Sequence, residues 1–133
     1  IRAPKSRYVF TFIGVSNFID VLEKNGSWYF DVGEEIKYAD TMPEGYIVGK
    51  KNVMGIRHMN IVFDEKSQVK GKIIRSVFLG DQYTYFVQLG NKELRVQRNS
   101  LDVISDRQYN EGDIVGLSFL HPFYYEDTQE VTI

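Results

Sequence analysis

Pairs of turn-forming residues divide this chain into short segments in which apolar and polar residues alternate. Asn25–Gly26, Gly80–Asp81 and Gly90–Asn91 are such pairs, and residues 110–113 form a fourth turn. Asn-Gly is the strongest short signal for a β-hairpin, because a type I′ turn needs two positive φ angles. Short strands between turns at this spacing predict a small antiparallel barrel or sandwich.

The alternation also predicts where the strands lie. They are expected at residues 17–24, 27–32, 36–38, 46–48, 53–56, 69–79, 82–89, 93–97 and 114–120. Gly71 interrupts the longest of them and predicts a bulge or bend at that position. Tyr85 and Val87 are expected on one face of their strand, and Phe86 on the other.

A single short helix is predicted before the first strand. Ser6 can cap its N-terminus, and Gly14 supplies a left-handed stop at its end. Apolar residues recur between them at helical spacing: Tyr8, Val9, Phe12 and Ile13. The predicted fold class is therefore all-β with one short N-terminal helix, and the strands form two small subdomains, residues 17–64 and 65–133.

Composition narrows the function classes. Hydrophobic residues make up 43% of the 133 residues and charged residues 26%, as in soluble globular proteins. The net charge of −2 lacks the basic excess that neutralises phosphates, so nucleic acid is an unlikely partner. No cysteine is present, which excludes disulfides and thiolate zinc sites. The sequence begins at Ile1 without a signal peptide, and we expect it to be a piece of a longer cytoplasmic protein.

Catalytic and metal-binding patterns are missing from the sequence. His58 and His121 are the only histidines, and neither has a partner at ligand spacing. Adjacent carboxylates such as Glu34 and Glu35 point to opposite faces of a strand and make a poor acid–base pair. There is no phosphate-binding loop and no nucleophile motif. We therefore expect no enzyme activity, no cofactor and no metal in this chain.

Four segments, in order along the chain, resemble a known family. Residues 8–18 (YVFTFIGVSNF) resemble the helix "FVAxFIGxxNF" that leaves the ATPase domain of ABC importers. Residues 53–57 (VMGIR) are similar to the "LGIRPE" signature of the TOBE domain, a transport-associated fold of the oligonucleotide/oligosaccharide-binding (OB) type. Residues 69–82 and 110–122 resemble a later strand pair and the closing strand of that domain. The family's Pro-Glu is replaced here by His58–Met59.

The resemblance implies an architecture and a role. Residues 1–16 would be the tail of an ATPase domain with its junction helix, and residues 17–133 a regulatory domain of OB-like β-barrel subdomains. The parent protein would be the ATP-binding subunit of a maltose-, polyamine- or iron-type importer, using ATP and Mg²⁺. Its implied partners are a second copy, the parent's ATPase domain and the transporter's membrane subunits. It would lie on the inner face of the cell membrane.

The resemblance also singles out residues, all with positional rather than catalytic roles. Phe12, Ile13, Gly14 and Asn17 would join the helix to the first barrel. Gly55 and Arg57 would shape the signature turn, and Gly80 and Asp81 the turn between the two longest strands. Residues 73–79 and 83–89 carry apolar side chains on both faces. Either a second copy or another part of the same chain would cover them.

Two alternatives from other classes stay open. One is a small-molecule sensor of the transporter, with Arg57, Lys72 or Ser76 as donors to an oxyanion. The other is an oligonucleotide-binding module in which some of the nine Tyr, nine Phe and one Trp stack on bases.

Overall fold

The computed structural model describes residues 17–99 and 109–127, which form two antiparallel five-stranded sheets. The strands are β1 (Asn17–Lys24), β2 (Ser27–Asp31), β3 (Glu35–Ala39), β4 (Asn52–Ile56), β5 (Ile61–Phe63), β6 (Lys70–Phe78), β7 (Gln82–Leu89), β8 (Lys92–Asn99), β9 (Ile114–Phe119) and β10 (Phe123–Glu126). The one helical element of the described residues is a 3₁₀ turn, His58–Asn60. The all-β prediction is confirmed, and the predicted N-terminal helix lies outside the described residues.

The first sheet has the strand order β10-β4-β1-β2-β3. Its centre is the predicted hairpin of β1 and β2, with Val21 opposite Phe30. Asn25 and Gly26 have φ angles of 53° and 80°, as a type I′ turn requires. The local sequence therefore determines this hairpin, and the prediction is confirmed.

The second sheet has the order β5-β9-β6-β7-β8. Its two outer strands, β5 and β8, also contact each other, so the sheet curls back towards itself. A curled antiparallel sheet of five short strands is typical of an OB-like, partly open barrel. The boundary predicted between residues 64 and 65 stays a prediction; β5, just before it, pairs with β9 of this second sheet.

The larger of two hydrophobic clusters joins the two sheets. Ile19, Val21 and Phe30 come from the first sheet and pack in the same cluster as Ile73 and Val87 from the second. The ring of Phe30 also meets that of Phe119 edge-on, with centroids 5.0 Å apart. Burial of these apolar side chains is the main stabilising contribution, on the order of 2 kcal/mol for each fully buried residue.

The prediction of a strand at residues 46–48 is wrong. Tyr46 donates its backbone N–H to Pro43 in a turn, and Ile47 bonds to a side chain instead of a strand. The carboxamide of Asn52 accepts from the N–H of Ile47 at 2.9 Å and donates to its carbonyl at 2.8 Å. A buried side chain thus replaces the neighbouring strand as the partner of this backbone.

The bulge predicted at Gly71 is also wrong. Gly71 lies in regular register opposite Val115, and the irregularity of β6 falls between Ile73 and Arg75. Glycine at position 71 allows the side chain of Val87 to pack directly against β6, because a Cβ there would lie 2.6 Å from Cγ1 of Val87. Strands β5 and β10 were not predicted at all.

Candidate functional site

Asn17 holds the two sheets together where β1 begins. Its side chain is buried and donates to the carbonyl of Arg95 on β8 at 2.8 Å, while the N–H of Arg95 donates back to its Oδ1 at 2.9 Å. The amide thereby satisfies both backbone groups of one residue on β8. The structure thus places Asn17 at a joint between sheets. Phe12, Ile13 and Gly14, predicted to act with it, lie outside the described residues.

The segment predicted as the signature turn lies beside this joint. Gly55 is buried within β4, opposite Phe18 and Phe123, rather than in the turn itself. The turn follows it, where the carbonyl of Arg57 accepts from the N–H of Asn60 at 3.0 Å. The side chain of Arg57 is exposed.

His58 stands at the position where the TOBE signature that residues 53–57 resemble has proline. Its 3₁₀ turn contacts β8, and the half-buried imidazole lines a small pocket of about 180 Å³ together with Asn17, Phe86 and Arg95. Burial, and then the nearby charge of Arg95, lower the pKa of His58 below its ordinary value. The imidazole is therefore neutral at physiological pH and packs as a partly apolar group between the sheets.

A row of cations and one aromatic ring crosses the outer face of the second sheet. The guanidinium of Arg75 lies 3.9 Å from the ring centre of Phe86, and that of Arg95 lies 5.2 Å from it. Glu93 lies 3.9 Å from Arg75 and partly neutralises the row. The row therefore falls short of the continuous basic groove that binds single-stranded nucleic acid.

The donors suggested for an oxyanion do not come together on β6. Lys72 is opposite Gln88, whereas Ser76 is opposite Tyr85. Tyr85 and Gln88 lie on opposite faces of β7, and residues directly opposite each other share a face. Lys72 and Ser76 therefore point to opposite sides of the sheet.

The turn between β6 and β7 presents apolar side chains to solvent. Gly80 has a φ of 75°, and the N–H of Leu79 donates to the carbonyl of Gln82 at 2.7 Å, which closes a tight hairpin with Asp81 at its tip. Phe78 is 56% exposed and Leu79 is 59% exposed. The predicted burial on both faces therefore ends before the tip of this hairpin.

A cleft lies between the two sheets. It has a volume of about 470 Å³ and is lined from the first sheet by Tyr38, Met54 and Tyr124, and from the second by Leu117 and Phe119. A neighbouring hollow of about 510 Å³ shares its Tyr124 wall. Sequence reasoning missed this cleft, because no regular spacing connects residues that approach from four separate strands.

Two tyrosine hydroxyls meet in this cleft. Tyr38 on β3 and Tyr124 on β10 are hydrogen-bonded at 2.8 Å, which ties the two edges of the first sheet together. Tyr46 packs against Tyr124, with ring centres 6.0 Å apart. Burial raises the pKa of Tyr38 above its ordinary value, and it raises the pKa of Tyr124 to about 12.

The hydrogen-bonded tyrosine pair makes the fold sensitive to alkali. A raised pKa in the folded state means that stability is complete below the ordinary tyrosine pKa of 10.0 and is lost as pH rises towards 12. We expect the free energy of unfolding to fall by roughly 2 kcal/mol across this interval. Urea unfolding at several pH values measures it. The double variant Tyr38→Phe, Tyr124→Phe should show a shallower decline, and an equal decline would contradict the assignment.

The described residues contain neither a metal cluster nor a membrane helix. No three His, Asp or Glu side chains among them gather closely enough to hold a metal ion. In the same part of the chain, no helix has the length and apolar character of a membrane span.

Comparison of the chain with models of protein families identifies a domain family. The model of the TOBE domain family matches residues 54–121, which is more than half of the 133 residues. The match begins within β4 and ends just after β9, so it contains Gly55, Arg57, Gly80 and Asp81, while Asn17 precedes it. None of the curated proteins matches the chain.

Proposed function

The chain belongs to the TOBE domain family, and on that premise we propose that it is the C-terminal regulatory and dimerisation domain of a bacterial ABC importer's ATP-binding subunit. In this proposal the ATPase domain of the parent protein binds ATP and Mg²⁺, and the regulatory domain carries no catalytic residue. It lies on the cytoplasmic side of the cell membrane, attached through the transporter complex. The resemblance of residues 8–18 to an ATPase junction helix supports the parent assignment.

The observation that carries the dimerisation role is the apolar hairpin tip. Val77, Phe78 and Leu79 are three consecutive exposed apolar residues at the end of β6. Phe78 packs its ring against Tyr83 on the adjacent strand at 4.8 Å, which extends the apolar surface onto β7. Exposed apolar side chains grouped at one hairpin tip are typical of association sites in soluble proteins.

A second copy of the chain is the partner that the proposal requires. In a twofold dimer the same patch contacts itself, so a single apolar hairpin is sufficient to build both sides of the interface. Two ATPase domains attached to such a dimer stay at high effective concentration while they open and close. The regulatory domain would thereby keep the ATPase pair assembled through the transport cycle.

Light scattering over a concentration series tests this role. We expect a concentration-dependent dimer for the wild-type chain, and at least about tenfold weaker association for Phe78→Asp, because a buried carboxylate at the interface is unpaired. Val48→Asp is the matched control, since Val48 is 72% exposed in a turn outside the hairpin. A monomer at all concentrations, or equal dimerisation of Phe78→Asp and wild type, would contradict the proposal.

A further inference from the structure

We propose that the cleft between the two sheets is a binding site for a small uncharged molecule that carries a ring and a hydroxyl group. The inference goes beyond dimerisation and does not depend on it, because the cleft lies between β3, β4, β9 and β10 of one chain. Its volume of about 470 Å³ falls in the range of small-molecule sites.

The residues that line the cleft disfavour a charged ligand. Most of the residues that line it are apolar, and none of them is Lys, Arg, His, Asp or Glu. An ion that entered would lose hydration without gaining an opposite charge, which is costly. An uncharged molecule avoids that cost and gains contact with the apolar walls.

The polar side chains that line the cleft all carry hydroxyls, which can both donate and accept. Ser118 donates to Asp64 at 2.9 Å, and Ser67 donates to the carbonyl of Leu117, so both serine hydrogens are engaged. The hydrogen bond between Tyr38 and Tyr124 uses only one of their two hydroxyl hydrogens. The other hydrogen and the oxygen lone pairs can bind a hydroxyl group of a ligand.

One wall of the cleft is an aromatic surface that the core holds in place. The ring of Tyr38 stacks on that of Phe30 with centroids 4.1 Å apart and planes 2° apart. Phe30 is fully buried and meets Phe119 edge-on. Because packing fixes the orientation of Tyr38, the wall is pre-organised to contact a flat ring at little entropic cost.

The three methionines allow a direct test by NMR of the chain labelled with ¹³C at the methionine methyl groups. Met54 is 1% exposed and lines the cleft, whereas Met59 is 60% exposed in the 3₁₀ turn and does not line it. Phenol is the probe. We expect its titration to shift the Met54 signal in a saturable way and to leave Met59 unchanged.

Charged analogues of the probe test the selectivity. Benzoate and benzylammonium have a similar ring but carry a negative and a positive charge, and we expect each to bind at least about tenfold more weakly than phenol. Equal affinity of either ion would overturn the assignment of an uncharged ligand. An unchanged Met54 signal, or equal shifts of Met54 and Met59, would overturn the site itself.

A conservative variant tests the role of the hydroxyl pair. Tyr124→Phe keeps the ring and removes one hydroxyl, so we expect phenol to bind about tenfold more weakly. Tyr29→Phe, on β2 and outside the cleft, is the control and should bind as wild type does. Should Tyr124→Phe fail to fold, Tyr38→Phe gives the same comparison. Unchanged affinity in a folded variant would overturn recognition through these hydroxyls.

Discussion

Replacing Gly90 by alanine is expected to lower the free energy of unfolding by about 3 kcal/mol. Gly90 lies in the turn between β7 and β8 with a φ of 59°, in the left-handed region. A Cβ there would lie 2.3 Å from the carbonyl oxygen of Val32, just after β2 in the other sheet. That oxygen accepts the N–H of Asn91 at 2.7 Å, so alanine would disturb a hydrogen bond between the sheets.

Gly112→Ala is the matched control for this prediction. Gly112 also has a positive φ, 90°, but among the residues that the structure describes, apart from its two chain neighbours, no atom lies within 4 Å of a Cβ built on it. We expect it to cost only about 1 kcal/mol, the conformational penalty without the collision. Urea unfolding followed by the fluorescence of Trp28 measures both variants. Equal destabilisation would show that the two sheets do not approach as closely as the structure has them.

Replacing Asn17 by alanine is also expected to lower the free energy of unfolding by about 3 kcal/mol. The substitution removes both hydrogen bonds to Arg95 and leaves the N–H and C=O of one residue on β8 without their partner. Backbone groups left without a partner in this partly buried joint cost more than the net value of the lost bonds. Chemical denaturation gives the stability, and hydrogen exchange at the amide of Arg95 shows whether the loss occurs at this joint.

Asn52→Ala provides the comparison, because Asn52 is also a buried amide that binds backbone. Its partners, Ile47 and Lys50, belong to one surface loop, where water can replace the lost bonds. We expect Asn52→Ala to lower the free energy of unfolding by about 1 kcal/mol, and we expect faster amide hydrogen exchange in that loop alone. If Asn17→Ala were no more destabilising than Asn52→Ala, the amide of Asn17 would not be the joint between the sheets.

Features set by neighbouring residues were the ones that sequence reasoning predicted well. The turn at Asn25–Gly26 follows from the φ angles that these two residue types tolerate, and strands β7 and β8 follow from strict alternation on either side of Gly90–Asn91. Both depend on contacts that are short in sequence. The helix of residues 6–13 stays untested, because it lies outside the described residues.

Sequence reasoning missed the features that depend on residues far apart in the chain. Tyr46 lies in an apolar stretch that reads as a strand, but a side chain six positions later, Asn52, binds that stretch into a loop. The cleft depends on Tyr38 and Tyr124, which are 86 positions apart. Asn17 was predicted from the family resemblance to join the helix to the first barrel. Its side-chain contact with Arg95 of the second sheet was not predicted, because it is a tertiary contact between residues 78 positions apart.

If this chain is the regulatory domain of an ABC ATP-binding subunit, as proposed, the natural protein binds ATP, and photolabelling of that protein detects the binding. Antibodies raised against the chain would be used to isolate the natural protein from membranes of the source cells after photolabelling with azido-ATP and Mg²⁺. We expect a labelled protein well above the 15.5 kDa of this chain, with the label competed by unmodified ATP. A protein of about the same mass as the chain, or a larger one without the label, would contradict it.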